Sequence, residues 1–212
     1  MRELLIATET HGRVLLREAE NPSAIVIGFH GYMENAQIQM DRLTAIPGAE
    51  RWTLVSIQAL HRFYKGSSEA VVASWMTRQD RDAAIADNIA YVDRVVEALG
   101  SPAVPIVFAG FSQGVAMAFR AALRGARRGA GVIAVGGDVP PELLADPSLA
   151  FPPLLLARGE RDEWHTAQKH DADVQAVRSR GVEVEALIYD GAHEWTGEVS
   201  RAAGEFISAR LR

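Results

Sequence analysis

The sequence of 212 residues contains no cysteine. This absence excludes disulfide bonds, thiolate metal sites and a cysteine nucleophile. Long hydrophobic runs are also lacking, and none approaches the roughly 18 apolar residues that a membrane-spanning helix needs. The apolar stretch near the N-terminus is too short for a secretory signal peptide, so a cytoplasmic protein is expected.

Positively charged residues are fewer than negatively charged ones. Lys and Arg number 22 against 27 Asp and Glu, which gives a formal net charge of −5. Because nucleic-acid binding depends largely on neutralising phosphates with cationic side chains, this balance argues against a nucleic-acid partner. No HExxH motif occurs, and neither a metal nor a cofactor is expected.

Short apolar segments recur along the chain, whose length fits one domain over residues 1–212. The first two, residues 3–8 and 13–18, flank Thr10–Gly12 and predict an N-terminal antiparallel hairpin. Further strands are predicted at 24–29, 52–57, 105–110, 131–136, 153–158 and 182–189.

Helical patterns separate these strands, at 85–99, 113–124, 163–180 and 194–211. The middle strands are continuously apolar, as expected when helices cover both faces of a parallel sheet. The last strand partly alternates, which favours a position near an edge. The predicted fold class is therefore α/β, with a mostly parallel central sheet, the N-terminal hairpin and helices on both faces.

The segment Gly110–Gly114 (GFSQG) matches the nucleophile-elbow pattern G-x-S-x-G at the junction of a predicted strand and helix. A serine projecting from so sharp a turn requires small residues two positions before and after it. The turn also places Ser112 at a helix N-terminus, where free amides favour developing negative charge. The alternative is a glycine-rich turn with a capping serine, and the strand-to-helix context favours the nucleophile.

A serine nucleophile needs a base, and the expected chain order is Ser, then Asp or Glu, then His. Three histidines follow Ser112, namely His165, His170 and His193. His193 comes directly after the last predicted strand, on a loop able to present its ring at the sheet edge. His165 and His170 fall within a helical pattern and are expected at the surface. We therefore predict His193 as the base.

The acid is predicted from the loop after strand 153–158. Asp162 lies four residues beyond that strand and would orient the histidine and stabilise its protonated form. Glu160, Glu163 and Asp138 are the competitors. The oxyanion hole needs two backbone donors, which we predict to be the amides of Gln113 and of Tyr32 in the loop FHGYMEN.

Five motifs in order, FHGYMENA, HRFYKGSSEAVVASW, GFSQGVAMAF, RGERDEWH and DGAHEW, cover nearly the whole chain. In these motifs the sequence resembles the carboxylesterase, phospholipase and acyl-protein thioesterase group of α/β-hydrolases. The resemblance implies the α/β-hydrolase fold, with Ser112 as nucleophile, Asp162 as acid and His193 as base. It also implies the Tyr32 and Gln113 amides as oxyanion hole and places Trp75 near the acyl site.

The chain departs from the group at two positions that bear on pocket shape. Tyr32 replaces a smaller apolar residue after HG, and Val115 replaces a glycine after GFSQG. Residues 137–152, 16 in number, are too few for a cap domain, so an open site at the carboxyl edge of the sheet is expected. The loops there carry apolar side chains that are candidates to bind substrate, although any one of them could belong to the core instead: Met33, Phe63, Trp75, Trp164 and Trp195.

These features predict a serine hydrolase that cleaves small carboxylic esters or thioesters of short to medium acyl chains. An acyltransferase using the same triad is an alternative, as is a non-catalytic ligand-binding protein on a hydrolase scaffold. A homodimer is compatible with the sequence, which does not determine the oligomeric state.

Overall fold

The computed structural model describes residues 1–100 and 103–211. Within them the strands are β1 (Arg13–Arg17), β2 (Ala24–Phe29), β3 (Trp52–Gln58), β4 (His61–Tyr64), β5 (Val71–Ser74), β6 (Ile106–Phe111), β7 (Gly131–Val135), β8 (Leu154–Gly159) and β9 (Val184–Tyr189). The α-helices are α1 (Ala36–Thr44), α2 (Arg81–Ala98), α3 (Gln113–Arg124), α4 (Pro141–Leu144), α5 (Ala167–Ser179) and α6 (Gly197–Ala209).

The main sheet has seven strands in the order β1-β3-β2-β6-β7-β8-β9. Strand β1 is antiparallel to β3, and every other neighbouring pair is parallel. The six strands predicted between 24 and 189 are all present, within two residues at either end. The prediction of a mostly parallel sheet, with its last strand at an edge, is confirmed.

The sheet contains an antiparallel pair, but the predicted N-terminal hairpin is wrong. Residues 1–12, all within the described part of the chain, form no strand. Residues 13–17 pair instead with β3, with Val14 opposite Ile57. The physical reason is that β3 is buried along its whole length, so its outer backbone groups need a partner. A two-stranded hairpin alone would gain much less.

A separate two-stranded sheet is formed by β4 and β5, with His61 opposite Ser74. No sequence pattern predicted it, because each of its strands has only four residues, too few to show a clear periodic signal.

Helices cover both faces of the main sheet, as predicted. Alternate side chains of β2 point to opposite faces. Ile25 and Ile27 belong to the core that includes residues of α2, α3 and α5, whereas Val26 belongs to the core with residues of α1 and α6. Strands buried on both faces are continuously apolar for this reason.

Two helices begin later than the helical patterns predicted. Helix α5 begins at Ala167 rather than at 163, because the Asp162 carboxylate accepts hydrogen bonds from the two amides that follow and holds a turn there. Helix α6 begins at Gly197, capped by the Thr196 hydroxyl, which accepts from the Val199 amide.

The carboxyl ends of the parallel strands share one edge of the sheet, and the loops at that edge carry the predicted site. In the described stretch 137–152 the only helix is α4, of four residues, which confirms that no cap domain is inserted there. None of the helices in residues 1–100 and 103–211 combines the length and hydrophobicity required to cross a membrane.

Candidate active site

Ser112 occupies a sharp turn between β6 and α3. Its backbone has φ 52° and ψ −120°, a conformation that side-chain-bearing residues rarely adopt. The amide of Ser112 donates to the carbonyl oxygen of Val135 at 2.9 Å, which ties the turn to β7. Strain held by surrounding structure in this way is common at functional sites.

The two glycines of the elbow are required by close backbone contacts. A Cβ on Gly110 would lie 2.5 Å from the carbonyl oxygen of Gly114 and 2.6 Å from the Val115 Cα. A Cβ on Gly114 would lie 2.2 Å from the carbonyl oxygen of Phe29. The steric reason for G-x-S-x-G, deduced from the sequence, holds at both positions.

Gly114→Ala should therefore destabilise the protein by about 3 kcal/mol or more, because β2 or α3 must move to relieve the overlap. The matched control is Gly197→Ala, since a Cβ there would meet nothing within 4 Å. That change should be neutral or slightly stabilising. Urea unfolding of both variants measures the difference, and equal stabilities would contradict the steric account.

The structure brings Ser112, His193 and Asp162 together. His193 Nε2 lies 2.9 Å from Ser112 Oγ, and His193 Nδ1 lies 2.8 Å from Asp162 Oδ2. A carboxylate can only accept, so Nδ1 carries the proton and leaves Nε2 free to accept from the serine hydroxyl. The Asp162 side chain is fully buried, whereas that of His193 is 23% exposed and open to the cleft.

Asp162 is held on both of its oxygens. Oδ1 accepts the amides of Trp164 and His165, each at 2.9 Å, while Oδ2 accepts from His193. Of the competing acids, Glu160 and Glu163 are exposed, and Asp138 contacts a different histidine. The geometry thus favours the acid predicted from the sequence.

The two predicted oxyanion donors lie at the ends of β2 and β6. The Gln113 amide is the first in α3, and the Tyr32 amide follows β2. In the part of the chain that the structure describes, neither amide donates to a backbone acceptor outside regular secondary structure. A first-turn helix amide has no partner within its helix, so the Gln113 amide in particular is available to a ligand.

The loop that carries Tyr32 is held by an ion pair. The Gly31 amide donates to Glu34 Oε2 at 2.8 Å, and Arg42 binds both carboxylate oxygens of Glu34 at 2.6 and 2.7 Å. Burial opposes ionisation of Glu34, but the hydrogen bonds from Arg42 hold its pKa below the usual value. The Arg42 guanidinium also lies 4.1 Å from the centre of the Phe111 ring.

The Gln113 side chain has a role that the sequence analysis missed. Its Oε1 accepts from the Trp75 amide at 2.9 Å, and its Nε2 donates to the Met76 carbonyl oxygen at 2.9 Å. Gln113 therefore fastens the segment after β5 to the elbow. The position of Gln113 inside the GFSQG motif indicated that the residue matters, but the prediction from sequence concerned its backbone amide alone.

Two of the predicted substrate-binding aromatics, Trp75 and Trp195, form hydrogen bonds within the protein. Trp75 is fully buried, and its indole N–H donates to the His30 carbonyl oxygen at 2.8 Å. Trp195 packs against the core beneath α6, and its indole N–H donates to Ser200 Oγ at 3.0 Å.

The other predicted substrate-binding residues differ in their position. Trp164 lines the cleft beside Ser112 and is 77% exposed. Met33 and Phe63 lie near Tyr32 instead, whose ring centre is 6.0 Å from that of Phe63. Neither Met33 nor Phe63 is among the residues that line the cleft.

The cleft beside Ser112 has a volume of about 340 Å³. Part of its wall is apolar, from Met76, Ala116, Pro140, Pro141 and Trp164. The rest carries charge, from Arg81, Arg120, Asp138 and Lys169. An apolar groove was predicted from the sequence, in which no motif indicated these cations.

The prediction that His165 and His170 lie at the surface is wrong, since they are 4% and 2% exposed. His165 Nδ1 lies 3.0 Å from Asp138 Oδ1, which holds the pKa of Asp138 below its usual value. The two histidine rings meet edge to face with centres 5.6 Å apart. His170 lies on α5, which packs against β8, and His165 lies in the bend before that helix. Helical spacing alone does not reveal their burial.

Asp138, His165 and Asp173 present ligand atoms within 4.8 Å of one another, a donor set that can hold a divalent cation. The Lys169 ammonium lies 3.8 Å from Asp138 Oδ2 and competes for that carboxylate. One Asp173 oxygen already accepts from the Val139 amide at 2.9 Å, and burial raises the pKa of Asp173.

His170 should make stability depend on pH. Both of its ring nitrogens are buried without a partner, and burial lowers its pKa to about 4. An unfolded histidine has a pKa of about 6.5, so between these values the unfolded chain binds more protons. The free energy of unfolding should therefore fall by about 2 to 3 kcal/mol as the pH drops from 6.5 to 4.

His170→Leu should remove this contribution and flatten the pH dependence of urea unfolding. The exposed His11 provides the control, and His11→Gln should retain the wild-type slope. A His170→Leu slope equal to that of the wild type would mean that His170 protonates as readily when folded as when unfolded.

A family model described as phospholipase/carboxylesterase matches residues 12–211. No match was found among curated protein sequences.

Several solved structures are similar. Acyl-protein thioesterase 2 of Zea mays has a TM-score of 0.75 at 18% identity, over 95% of this chain and 100% of that one. Esterase PE8 has a TM-score of 0.73 at 20% identity, over 94% and 99%. The phospholipase/carboxylesterase of Dyadobacter fermentans has a TM-score of 0.68 at 21% identity, over 96% and 100%. At these identities the likeness bears on the fold.

Proposed function

Because the chain belongs to the phospholipase/carboxylesterase family, we propose that it cleaves carboxylic esters or thioesters through Ser112, His193 and Asp162. Its fold is that of the α/β-hydrolases and it is an esterase-type hydrolase, as the sequence motifs predicted. The observation that carries the proposal is the continuous chain of hydrogen bonds, 2.9 Å from Ser112 to His193 and 2.8 Å from His193 to Asp162.

In the first half-reaction, Ser112 Oγ attacks the carbonyl carbon while His193 Nε2 takes the hydroxyl proton. The carbonyl oxygen becomes an oxyanion and accepts hydrogen bonds from the Tyr32 and Gln113 amides. The Asp162 carboxylate stabilises the protonated imidazole. His193 then gives the proton to the departing alkoxide or thiolate, which leaves an acyl group on Ser112.

In the second half-reaction, a water molecule attacks the acyl carbon and gives a proton to His193 Nε2. The tetrahedral intermediate uses the same two amides. Its collapse breaks the bond to Ser112 Oγ, which recovers the proton from His193. The products are a carboxylic acid and the free enzyme, so one water is consumed for each ester cleaved.

Hydrolysis of p-nitrophenyl esters of graded acyl length tests the proposal. At about 0.8 kcal/mol for each buried CH₂, kcat/KM should rise over the first few methylenes and then level off or fall, because Arg120 closes part of the cleft. We expect no jump in rate above the critical micelle concentration, since no cap is inserted at 137–152.

Two results would contradict this. Failure to hydrolyse any ester in the series, by folded protein, would exclude the esterase proposal. A sharp rise in rate on micelle formation would exclude the open site and the preference for short to medium acyl chains.

A further inference from the structure

We propose that the cleft beside Ser112 binds an anionic group carried by the substrate, held by Arg81 and Arg120. The inference rests on the proposed function and names its substrate class: esters or thioesters that bear a carboxylate or similar anion a few atoms from the scissile carbonyl. The anion could belong to the acyl group or to the leaving alcohol, and the test below separates the two.

The helix that carries the nucleophile also carries one of these cations into the cleft. Gln113, Ala116 and Arg120 recur at spacings of three and four on α3, and all three line the cleft with Ser112. Arg120 is two helical turns beyond Ser112, about 12 Å along the axis. Helical side chains tilt toward the N-terminus, so the guanidinium lies nearer to Ser112 than its Cα does.

Arg120 is buried and only partly satisfied. Its side chain is 1% exposed. Its Nε and Nη2 both donate to one oxygen of Glu142, at 2.9 and 2.6 Å. Among the described residues, its Nη1 donates only to the sulfur of Met76, at 3.6 Å, and a thioether is a weak acceptor. A buried guanidinium with one poorly satisfied nitrogen in a cleft wall is suited to a carboxylate ligand.

A second arginine shares the same carboxylate. Arg81 Nη2 lies 3.8 Å from Glu142 Oε2, beyond hydrogen-bond distance, and the Arg81 side chain is 43% exposed. One carboxylate therefore faces two guanidinium groups, which leaves one positive charge uncompensated on this wall.

The other charged residues of the lining do not cancel this charge. Lys169 and Asp138 lie 3.8 Å apart and carry opposite charges, and His165 is paired with Asp138. Three cationic side chains and one carboxylate, that of Asp138, line the cleft itself, whereas the carboxylates of Glu142, Asp162 and Asp173 contact lining residues without forming part of the lining. An anionic group that enters the cleft therefore meets more cations than carboxylates, which favours its binding.

The size of the cleft limits the substrate. A volume of about 340 Å³ suits a small molecule. Because Arg120 lies two helical turns beyond Ser112 on α3, a few methylenes can separate the scissile carbonyl from the anion. Monoesters of dicarboxylic acids, and esters of small hydroxy acids, have this construction.

The test compares esters that match in size and differ in charge. In the acyl arm, monomethyl adipate is compared with methyl hexanoate, and in the alcohol arm O-butyryl glycolate with ethyl butyrate. At low ionic strength we expect kcat/KM for the charged member to exceed that of its neutral partner by about 10-fold or more in one arm. This ratio should fall as salt is added, because screening weakens the attraction.

Arg81→Gln should reduce the ratio of charged to neutral kcat/KM by about 10-fold. Arg94→Gln is the matched control, an exposed arginine on the same helix outside the cleft, and it should keep the wild-type ratio. A preference in the acyl arm alone places the anion on the acyl group, and one in the alcohol arm alone places it on the leaving group. No preference in either arm, or a ratio that Arg81→Gln does not change, overturns the proposal.

A binding measurement separates failure of this proposal from failure of the proposed function. Calorimetry with Ser112→Ala protein should detect adipate or glycolate, depending on the favoured arm, and should not detect it when Arg81→Gln is added. Hydrolysis of the neutral esters without any charge preference would contradict the anion site and support the esterase activity. Binding of the anion without hydrolysis of any ester would contradict the esterase activity and support the anion site.

Discussion

Ser112→Ala should lower kcat for ester hydrolysis by a factor on the order of 10⁶, the loss found when the corresponding group is removed from subtilisin. The fold should survive, because within the described residues the Ser112 hydroxyl is hydrogen-bonded only to His193, and the backbone hydrogen bond to Val135 remains. A fluorophosphonate probe, which labels activated serines, should modify the wild type and not the variant.

The exposed Ser67 supplies the control for this experiment, and Ser67→Ala should keep full activity and full labelling. Labelling that persists in Ser112→Ala would place the reactive serine elsewhere. A loss of only a few fold in kcat would show that Ser112 positions groups without forming the acyl-enzyme.

Asp162→Asn should lower kcat by about 10⁴ with little change in stability. An asparagine amide can donate to His193 Nδ1, which favours the tautomer that carries its proton on Nε2, and such an imidazole cannot accept the proton of Ser112. The change retains an oxygen for the amides of Trp164 and His165, so the turn before α5 should persist.

Glu163→Gln is the control, since Glu163 competes with Asp162 in the sequence but is exposed. It should keep wild-type activity. Because residues that act as a unit are not additive, the double variant Ser112→Ala with Asp162→Asn should be no slower than Ser112→Ala alone. Full activity in Asp162→Asn would exclude it as the acid.

The parts of the molecule that local physics determines could be predicted from sequence. The requirement for Gly110 is local, because a Cβ there would meet Gly114 and Val115, four and five positions along the chain. The buried strands were recognised because each is apolar on both faces. His193 and Asp162 followed from their places directly after predicted strands, where the sheet edge gathers the loops.

Contacts between distant segments could not be predicted. Arg81 and Arg120 meet at Glu142 only because α2, α3 and α4 converge beside the cleft. His170 is buried because α5 packs against the sheet, although its helical spacing is that of a surface residue. Trp75 is a core residue through its contact with the loop after β2, which no local pattern reveals.

Because the ion pair of Glu34 and Arg42 holds the Tyr32 loop, a dipole that solvates the oxyanion is oriented before the reaction begins. Water would have to reorient around each new oxyanion, and part of the barrier in solution is that reorientation. In the proposed mechanism the Tyr32 amide is already aimed, because Glu34 holds the preceding peptide from the time the chain folds. Since both partners of the pair are largely screened from solvent, added salt should leave this arrangement intact. The free-energy cost of orienting the Tyr32 amide therefore arises once, when the protein folds, and does not recur in each turnover.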